Sequence, residues 1–166
     1  MLPPKLILAP IDFSEPSRDA LNVAADMASR FGADLLLVHV VPAVSDLPAA
    51  VSIFKEGEYD QSLLDTAAQR LSELAATLGP KNIKVRTELG TANDVGMELV
   101  RIAKQSATDM IIIATHGMTG WREMAFGTVA EKVVKQADCA VLVLRAKTAK
   151  DADQKEKAAS SAASAA

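Results

Sequence analysis

The chain has 166 residues, the usual size of a single domain, and its formal net charge of −3 argues against nucleic-acid binding through charge. Its one cysteine, Cys139, excludes an internal disulfide and fits a reducing compartment. We find neither a secretory signal nor an apolar run approaching the roughly 20 residues of a membrane span, so we expect a cytoplasmic protein that does not enter a membrane.

The first quarter of the chain predicts a strand, a helix and a second strand. Residues 5–11 (KLILAPI) and 34–41 (DLLLVHVV) are short apolar runs typical of buried strands. Between them, Ser14 is a good N-cap and Pro16 is tolerated in a first helical turn. Gly32 is expected to end this helix.

The middle of the chain predicts a long connection and two further helices around an edge strand. Residues 42–60 are irregular, and connections of this length are often functional. Residues 82–89 alternate as in a half-exposed edge strand, and Gly90 and Thr91 are expected to lead into a helix over 92–105. Residues 61–78 predict an amphipathic helix whose inward face is Leu64, Ala67, Ala68, Leu71, Leu74, Ala75 and Leu78.

The last part of the domain predicts a strand, a loop, a helix and a final strand. These elements cover residues 109–115 (DMIIIAT), 116–126, 128–136 and 140–144 (AVLVL). In the helix, Val129, Val133 and Val134 have core spacing. Residues 147–166 contain no large apolar side chain and are predicted to be disordered, so the domain is expected to span residues 1–146.

Five strands alternate with four helices, which requires parallel pairing and right-handed crossovers. We therefore predict an α/β fold, an open doubly wound five-stranded parallel sheet with helices on both faces. The strands at 5–11 and 109–115 are the most continuously apolar and are expected at its centre. In such sheets the ligand crevice lies beyond the carboxyl ends of the strands, where the winding reverses. If these two strands are neighbours, residues 9–12 and 114–117 lie side by side there.

The glycines after the strand at 109–115 indicate a possible anion site. Glycine allows close approach of a backbone to a phosphate, and Gly127 with Thr128 opens a helix whose free N–H groups favour anions. The Thr128 hydroxyl either donates to a phosphate or caps the helix. The spacing is equally compatible with an ordinary loop, because glycine before Ser or Thr is common at helix starts. No P-loop or GxGxxG pattern occurs, so no P-loop lysine is expected.

Four segments in this order resemble the universal stress protein family and cover nearly the whole chain up to Arg145. They are LAPIDFS at 8–14, LVHV at 37–40, DMIIIATHG at 109–117 with FGTVAEKVV at 126–134, and AVLVL at 140–144. The ATP-binding branch of that family carries the pattern Gly-x2-Gly-x9-Gly-Ser/Thr. Gly117, Gly127 and Thr128 fit it, whereas Ala114 stands at the first glycine. We expect this alanine to weaken binding or leave it unchanged.

The resemblance implies a Rossmann-like fold with strand order 3-2-1-4-5 and an ATP site at the carboxyl ends of the first and fourth strands. It implies that Asp12 contacts adenine or ribose beside Pro10, and that the Val40 backbone meets adenine. Residues 114–120 would wrap the ribose and phosphates, and residues 128–130 would donate to the phosphates. The implied nucleotide-binding set is Pro10, Ile11, Asp12, Val40, Ala114, Thr115, His116, Gly117, Met118, Thr119, Gly120, Gly127, Thr128, Val129 and Ala130.

The resemblance also implies a metal and a partner. Magnesium would be held mainly by the nucleotide phosphates, without protein ligands. Members of the family are usually homodimers joined through the last strand, which here comprises Ala140, Val141, Leu142, Val143 and Leu144.

Several of these side chains have plainer interpretations. Asp12 is a residue type that routinely caps a turn, although its place at a strand end favours a ligand role. His39, inside an apolar strand, is interpreted as a hydrogen-bonded buried histidine rather than a catalyst. His116 is equally suited to a phosphate or ribose contact and to bracing a loop. The residues interpreted as packing groups are Cys139, Trp121 and Phe126.

Three functional hypotheses follow. The first is a nucleotide-binding regulatory protein with little or no hydrolysis, because no general base is placed by the sequence. The second is an interaction or dimerisation module of the same fold that binds no nucleotide, suggested by Ala114 and by the segment 42–60. The third is a hydrolase or transferase, which needs a nucleophile and base, and no GxSxG turn occurs. We favour the first and expect a slow ATPase at most.

Overall fold

The computed structural model describes residues 3–42, 56–79, 83–115 and 127–145, and the backbone alone for residues 56–60. Predictions for most of the connection at 42–60, for the loop with His116, Trp121 and Phe126, and for the tail lie outside these residues. The elements in chain order are β1 (Leu6–Pro10), α1 (Glu15–Phe31), β2 (Asp34–Pro42), α2 (Glu56–Ala76), β3 (Val85–Ala92), α3 (Val95–Gln105), β4 (Met110–Ala114), α4 (Thr128–Gln136) and β5 (Ala140–Leu144).

The five strands form one parallel sheet in the order β3-β2-β1-β4-β5. In β1, Leu8 aligns with Leu36 of β2 on one side and with Ile111 of β4 on the other. The chain winds outward from β1 through β2 to β3, then returns to β4 and continues to β5. The winding therefore reverses between β1 and β4, which confirms the predicted fold and the central position of these two strands.

Alternate residues of β1 pack against different helix layers. Ile7 and Ala9, both fully buried, belong to a cluster with residues of α1 and α2. Leu6 and Leu8 belong to a second cluster with residues of α3 and α4. Each buried leucine or isoleucine stabilises the fold by roughly 1.5–3 kcal/mol relative to exposure. Both faces of the sheet are thus covered, as the nearly unbroken apolar strands predict.

Helix α1 begins and ends where the sequence predicts. The Ser14 side chain accepts a hydrogen bond from the Ser17 N–H at 3.3 Å, as an N-cap does. At the other end Gly32 has φ 66°, and the Ala33 N–H donates to the Ala28 carbonyl at 2.9 Å. Glycine adopts a positive φ without steric cost, so the end of α1 is determined by Gly32 itself and not by distant contacts.

The predicted boundaries around β3 are wrong. The strand runs over Val85–Ala92 rather than 82–89, because Gly90 and Thr91 pair with β2 instead of turning into a helix. A Cβ atom at Gly90 would lie 3.2–3.3 Å from side-chain atoms of Glu98 and Ile102. This glycine therefore serves the close approach of α3 to the sheet, and α3 starts only after its N-cap, Asp94.

Two further helix predictions need correction. Helix α2 begins at Glu56, five residues before the predicted start, and Ala68 on its predicted inward face is exposed. On α4, Ala130 and Val133 are buried, whereas Val134 is 47% exposed. A helix on the surface of a sheet buries a narrow stripe, so an apolar residue next to that stripe stays in solvent.

Asp109 ties the start of β1 to the start of β4. Its Oδ2 accepts the Lys5 N–H at 2.8 Å and the Leu6 N–H at 3.0 Å. These main-chain hydrogen bonds hold the pKa of Asp109 below its usual value. The carboxylate is thus charged at neutral pH and fixes two strands at once.

We expect Asp109→Ala to lower the free energy of unfolding by roughly 1 kcal/mol near neutral pH, because two N–H groups lose a charged acceptor. Since the folded-state pKa lies below the unfolded one, this stabilisation is present above about pH 4 and is lost as the pH falls through the folded value. Urea denaturation near pH 7 and near pH 3 measures the difference. Asp138→Ala, which removes an exposed pair with Lys104, is the control and should cost less than about 0.5 kcal/mol. An equal loss for Asp109→Ala at both pH values would contradict this role.

Candidate functional site

A cleft of about 390 Å³ opens at the carboxyl ends of β1, β2 and β4. It lies where the winding of the sheet reverses, which is the expected position for a ligand crevice. Every residue of the predicted set that the structure describes lines this cleft, namely Pro10, Ile11, Asp12, Val40, Ala114, Thr115, Gly127, Thr128, Val129 and Ala130. The remaining predicted residues, His116, Gly117, Met118, Thr119 and Gly120, lie outside the described residues.

Asp12 forms the turn that leads from β1 into α1. Its Oδ1 accepts hydrogen bonds from the Ser14 N–H at 3.0 Å and from the Ser14 hydroxyl at 2.5 Å. The Ile11 N–H still donates to the Val38 carbonyl at 2.8 Å, so pairing with β2 continues one residue beyond the strand. Asp12 therefore does cap a turn. It also lines the cleft, and this position is what favours a ligand role.

Phe13 has φ 64°, an uncommon conformation for a residue with a side chain, at a cost of roughly 1–2 kcal/mol. Its ring lies 4.7 Å from the His39 ring, centroid to centroid, and its carbonyl accepts from Arg18 Nε at 3.3 Å. These contacts hold the conformation that swings the chain from β1 towards α1. The strained residue directly follows Asp12 and helps to fix where that carboxylate sits.

His39 is hydrogen-bonded, as interpreted from the sequence, although it is half-buried. Its Nδ1 lies 2.6 Å from the Ile11 carbonyl oxygen. Because a carbonyl only accepts, Nδ1 carries a proton in this contact. His39 thus joins β2 to the turn at Asp12 and also lines the cleft.

The start of α4 lines the same cleft as Asp12. Gly127 is the N-cap, and this glycine has no side chain with which to cap the helix. The Gly127 N–H donates to the Thr115 carbonyl at 2.6 Å, which joins the end of β4 to the start of α4. The N–H groups of the first helical turn, at Thr128, Val129 and Ala130, have no acceptor within the helix. Thr128 is the first helical residue, so its hydroxyl does not act as the N-cap.

Glycine at position 127 is not required by the backbone torsions. Its φ of −66° and ψ of 152° are extended values that any residue adopts. A positive φ is therefore not the reason for a glycine at this position. What remains of the prediction is the absence of a side chain at the mouth of the helix, where a ligand would approach the N–H groups.

The described lining is apolar with few charges. Its ionisable side chains are Asp12 and His39, and no lysine or arginine occurs among the lining residues in the described ranges. An anion in the cleft would therefore be held by main-chain N–H groups and the dipole of α4. The carboxylate of Asp12 would repel that anion and attract hydroxyl or amine donors instead. The cleft is suited to a ligand with an anionic end, a donor-rich middle and an apolar part.

Seven lining residues were not in the predicted set: Ser17, Val38, His39, Pro42, Val95, Leu99 and Ile113. Val38 could have been predicted as a lining residue, because alternate residues of a strand share a face and Val40 was in the predicted set. Val95 and Leu99 are one turn apart on α3, and their contribution depends on how α3 packs across the sheet. Ser17 could not be predicted from the sequence as a lining residue, because its position depends on the turn at Asp12.

The described residues contain neither a metal-ligand cluster nor a membrane-spanning helix. Within residues 3–42, 56–79, 83–115 and 127–145, no group of three or more His, Cys, Asp or Glu side chains is arranged to hold a metal ion. In the same ranges no helix has the length and apolarity needed to span a membrane.

Comparison with known proteins identifies the family. The family model described as the universal stress protein family matches residues 4–145. This chain belongs to the universal stress protein family. The match confirms the resemblance carried by the four sequence segments, and it includes every residue of the cleft.

Universal stress proteins of known sequence and structure are similar over most of the chain. Universal stress protein MJ0531 of Methanocaldococcus jannaschii is 29% identical over 144 residues, which cover 85% of this chain and 82% of that protein. The structure of MJ0577, a universal stress protein of the same organism, has a TM-score of 0.76 at 29% identity and covers 87% of this chain and 98% of its own. A universal stress protein from Archaeoglobus fulgidus in complex with dAMP has a TM-score of 0.59 at 19% identity, with 86% and 98% covered, and shows the shared fold.

Ala114 is where this universal stress protein departs from the glycine pattern. It ends β4, is half-buried and lines the cleft. The cleft of about 390 Å³ is present with the alanine in place. Whether the alanine weakens nucleotide binding stays a prediction, as does the division of the chain into a domain over 1–146 and a tail over 147–166.

Proposed function

We propose that this universal stress protein is a regulatory protein that binds an adenine nucleotide, ATP, in the cleft between Asp12 and the start of α4. The observation that carries this proposal is the joint position of the two segments. A carboxylate stands at the end of β1, and a helix start with a glycine N-cap follows β4, on the walls of one cavity. A cavity of this volume falls within the usual range for small-molecule sites.

The charges of the cleft suggest how the nucleotide is oriented. Phosphates bind best at the N–H groups of Thr128, Val129 and Ala130, where the helix dipole is positive. The carboxylate of Asp12 then accepts hydrogen bonds from ribose hydroxyls or the adenine amine. The apolar wall, which includes Val40, packs against the purine, and the main chain of that strand end supplies polar contacts. The dAMP complex of the Archaeoglobus fulgidus relative supports an adenine nucleotide as the ligand.

We propose that binding is accompanied by little or no hydrolysis. Among the lining residues in the described part of the chain, the candidate bases are Asp12 and His39. His39 Nδ1 contacts the Ile11 carbonyl, and Asp12 Oδ1 is held by Ser14. Asp12 follows β1 and His39 lies on β2, whereas the helix start where phosphates would bind follows β4. Magnesium, held mainly by the phosphates, would reduce their charge in this site.

The simplest test of the proposal is to identify the small molecules that remain bound to the protein after purification. The full chain, freshly purified under native conditions, would be denatured and its released small molecules analysed by mass spectrometry. Isothermal titration of nucleotide-free protein with ATP and magnesium follows. We expect an adenine nucleotide in the first experiment and saturable heat in the second. Protein that carries no nucleotide and gives no heat with ATP would show the proposal to be wrong.

We also propose that two copies pair through β5. This strand forms one edge of the sheet, and all five of its residues are half-buried in the single chain. The Ala140 N–H donates to the Asp109 carbonyl at 3.3 Å, and the Leu144 carbonyl accepts from the Thr115 N–H at 2.8 Å. Because alternate residues of a parallel strand bond to the same neighbour, Val141 and Val143 direct their N–H and carbonyl groups to the open edge.

This geometry predicts opposite behaviour for two proline variants. Val143→Pro removes an N–H that faces the open edge, so it is expected to convert the dimer to a monomer while the chain stays folded. Leu142→Pro removes an N–H of the ladder to β4 and is expected to lower the unfolding free energy by about 3 kcal/mol or more. Light scattering coupled to size exclusion measures the mass, and circular dichroism measures folding. A wild-type monomer at all concentrations, or a Val143→Pro variant that stays dimeric, would contradict pairing through β5.

A further inference from the structure

A second pocket of about 290 Å³ adjoins the cleft at the start of α4. Val95, Thr128 and Val129 line both cavities, so the first turn of α4 forms a wall that the two share. The residues that belong to the second pocket alone are Asn93, Asp94, Gly96 and Lys132. Thr128 therefore stands at the boundary of both cavities.

Lys132 is held in this pocket by contacts with the start of α3. Its Nζ lies 2.5 Å from Asp94 Oδ2, and the two side chains are 42% and 44% exposed. A Cβ atom at Gly96 would lie 3.0–3.2 Å from the Cβ, Cγ and Cδ atoms of Lys132. The lysine stem thus lies over a glycine on α3, which places the ammonium group beside the shared wall.

The two carboxylate oxygens of Asp94 have separate roles. Oδ1 accepts the Met97 N–H at 3.1 Å and caps α3, while Oδ2 binds Lys132. The hydrogen bond from Lys132 is the main cause that holds the pKa of Asp94 below its usual value, so this carboxylate is charged at neutral pH. Lys132 can leave Oδ2 without removing the cap of α3. The pair is a half-exposed contact that lines the pocket.

We propose that Lys132 is a specificity-determining residue that leaves Asp94 and binds the outer phosphates of a nucleoside di- or triphosphate. This inference rests on the proposed function. The described lining of the main cleft contains no cation, and the adjoining pocket supplies one. The phosphate nearest the ribose would bind at Thr128, and the following phosphates would extend past the shared wall to Lys132. A monophosphate ends at Thr128, on the cleft side of that wall, so Lys132 distinguishes ATP from AMP.

Two substitutions of the pair are expected to act in opposite directions. Lys132→Gln removes the cation and should weaken ATP binding roughly three- to tenfold while leaving AMP binding unchanged. Asp94→Asn keeps an oxygen that accepts the Met97 N–H but releases the lysine, so it should strengthen ATP binding roughly two- to fivefold relative to AMP. Isothermal titration of the full chain with ATP and with AMP gives both affinities. Lys135→Gln is the matched control, because Lys135 pairs with Glu131 on the same helix and lines neither cavity.

The outcomes separate this inference from the function on which it rests. A wild-type chain that binds neither nucleotide overturns both. A wild-type chain that binds ATP and AMP, with a Lys132→Gln variant that loses equal affinity for the two or none, overturns the role of Lys132 and leaves the nucleotide site standing. Weaker ATP binding by Asp94→Asn would also overturn it. If the pair were purely structural, substitution of either Asp94 or Lys132 would weaken binding.

Discussion

Gly127→Val is expected to abolish nucleotide binding, with at least roughly a 100-fold loss of affinity for ATP. The isopropyl group would occupy the mouth of α4, where a phosphate must approach the N–H groups of Thr128 and Val129. Two hydrogen bonds to a charged group, at about 1.5–3 kcal/mol each, account for a loss of this size. Isothermal titration with ATP and magnesium provides the measurement.

The same variant is expected to stay folded. Position 127 has extended torsions that valine accepts, so the cost is the weaker N-cap, roughly 0.5–1 kcal/mol in urea denaturation. Gly127→Ser is the matched variant, because serine is a good N-cap and small, and it should bind more tightly than the valine variant. If Gly127→Val loses stability in proportion to its loss of binding, the glycine is structural and the proposed anion site is wrong.

Asp12→Asn is expected to lower ATP affinity roughly tenfold, since a charged acceptor for the ribose or adenine becomes a neutral one. The asparagine oxygen can still accept the Ser14 N–H, so the unfolding free energy should change by less than about 0.5 kcal/mol. Titration and urea denaturation of the same preparation separate the two effects.

Asp12→Ala is the companion variant. It removes the turn contacts as well and should cost roughly 1–2 kcal/mol of stability in addition to the loss of affinity. If the asparagine variant binds ATP as well as the wild type and the alanine variant does not, Asp12 acts through the turn alone and makes no ligand contact.

Local chemistry was enough to predict most of the fold. The apolar runs that became β1 and β4 need burial on both faces, which placed them at the centre of the sheet. Ser14 and Gly32 mark the ends of α1 through their own backbone and side-chain properties. The error at Gly90 has a different origin. A glycine signals either a turn or a close approach, and here the approach is by α3, a contact that the strand sequence does not contain.

The candidate site was predictable as far as topology determines it. The carboxyl ends of neighbouring parallel strands must meet at one edge, so Asp12 and Ala114 were expected together and both line the cleft. The torsions of Phe13 and the hydrogen bond from His39 to Ile11 were not predictable, because they depend on contacts between separate elements. The ion pair of Lys132 with Asp94 joins residues 38 positions apart and depends on the packing of α3 against α4.

A direct test of the central claim is to observe the amides at the start of α4 during a titration. Amide proton–nitrogen correlation spectra of the full chain would be recorded with increasing ATP in the presence of magnesium, and then with AMP. Saturable shifts that are largest at Thr128, Val129 and Ala130, with smaller ones at Asp12 and Val40, are the predicted result. Saturable shifts confined to residues away from the cleft, such as the outer strand β3, or spectra that ATP leaves unchanged, would contradict it.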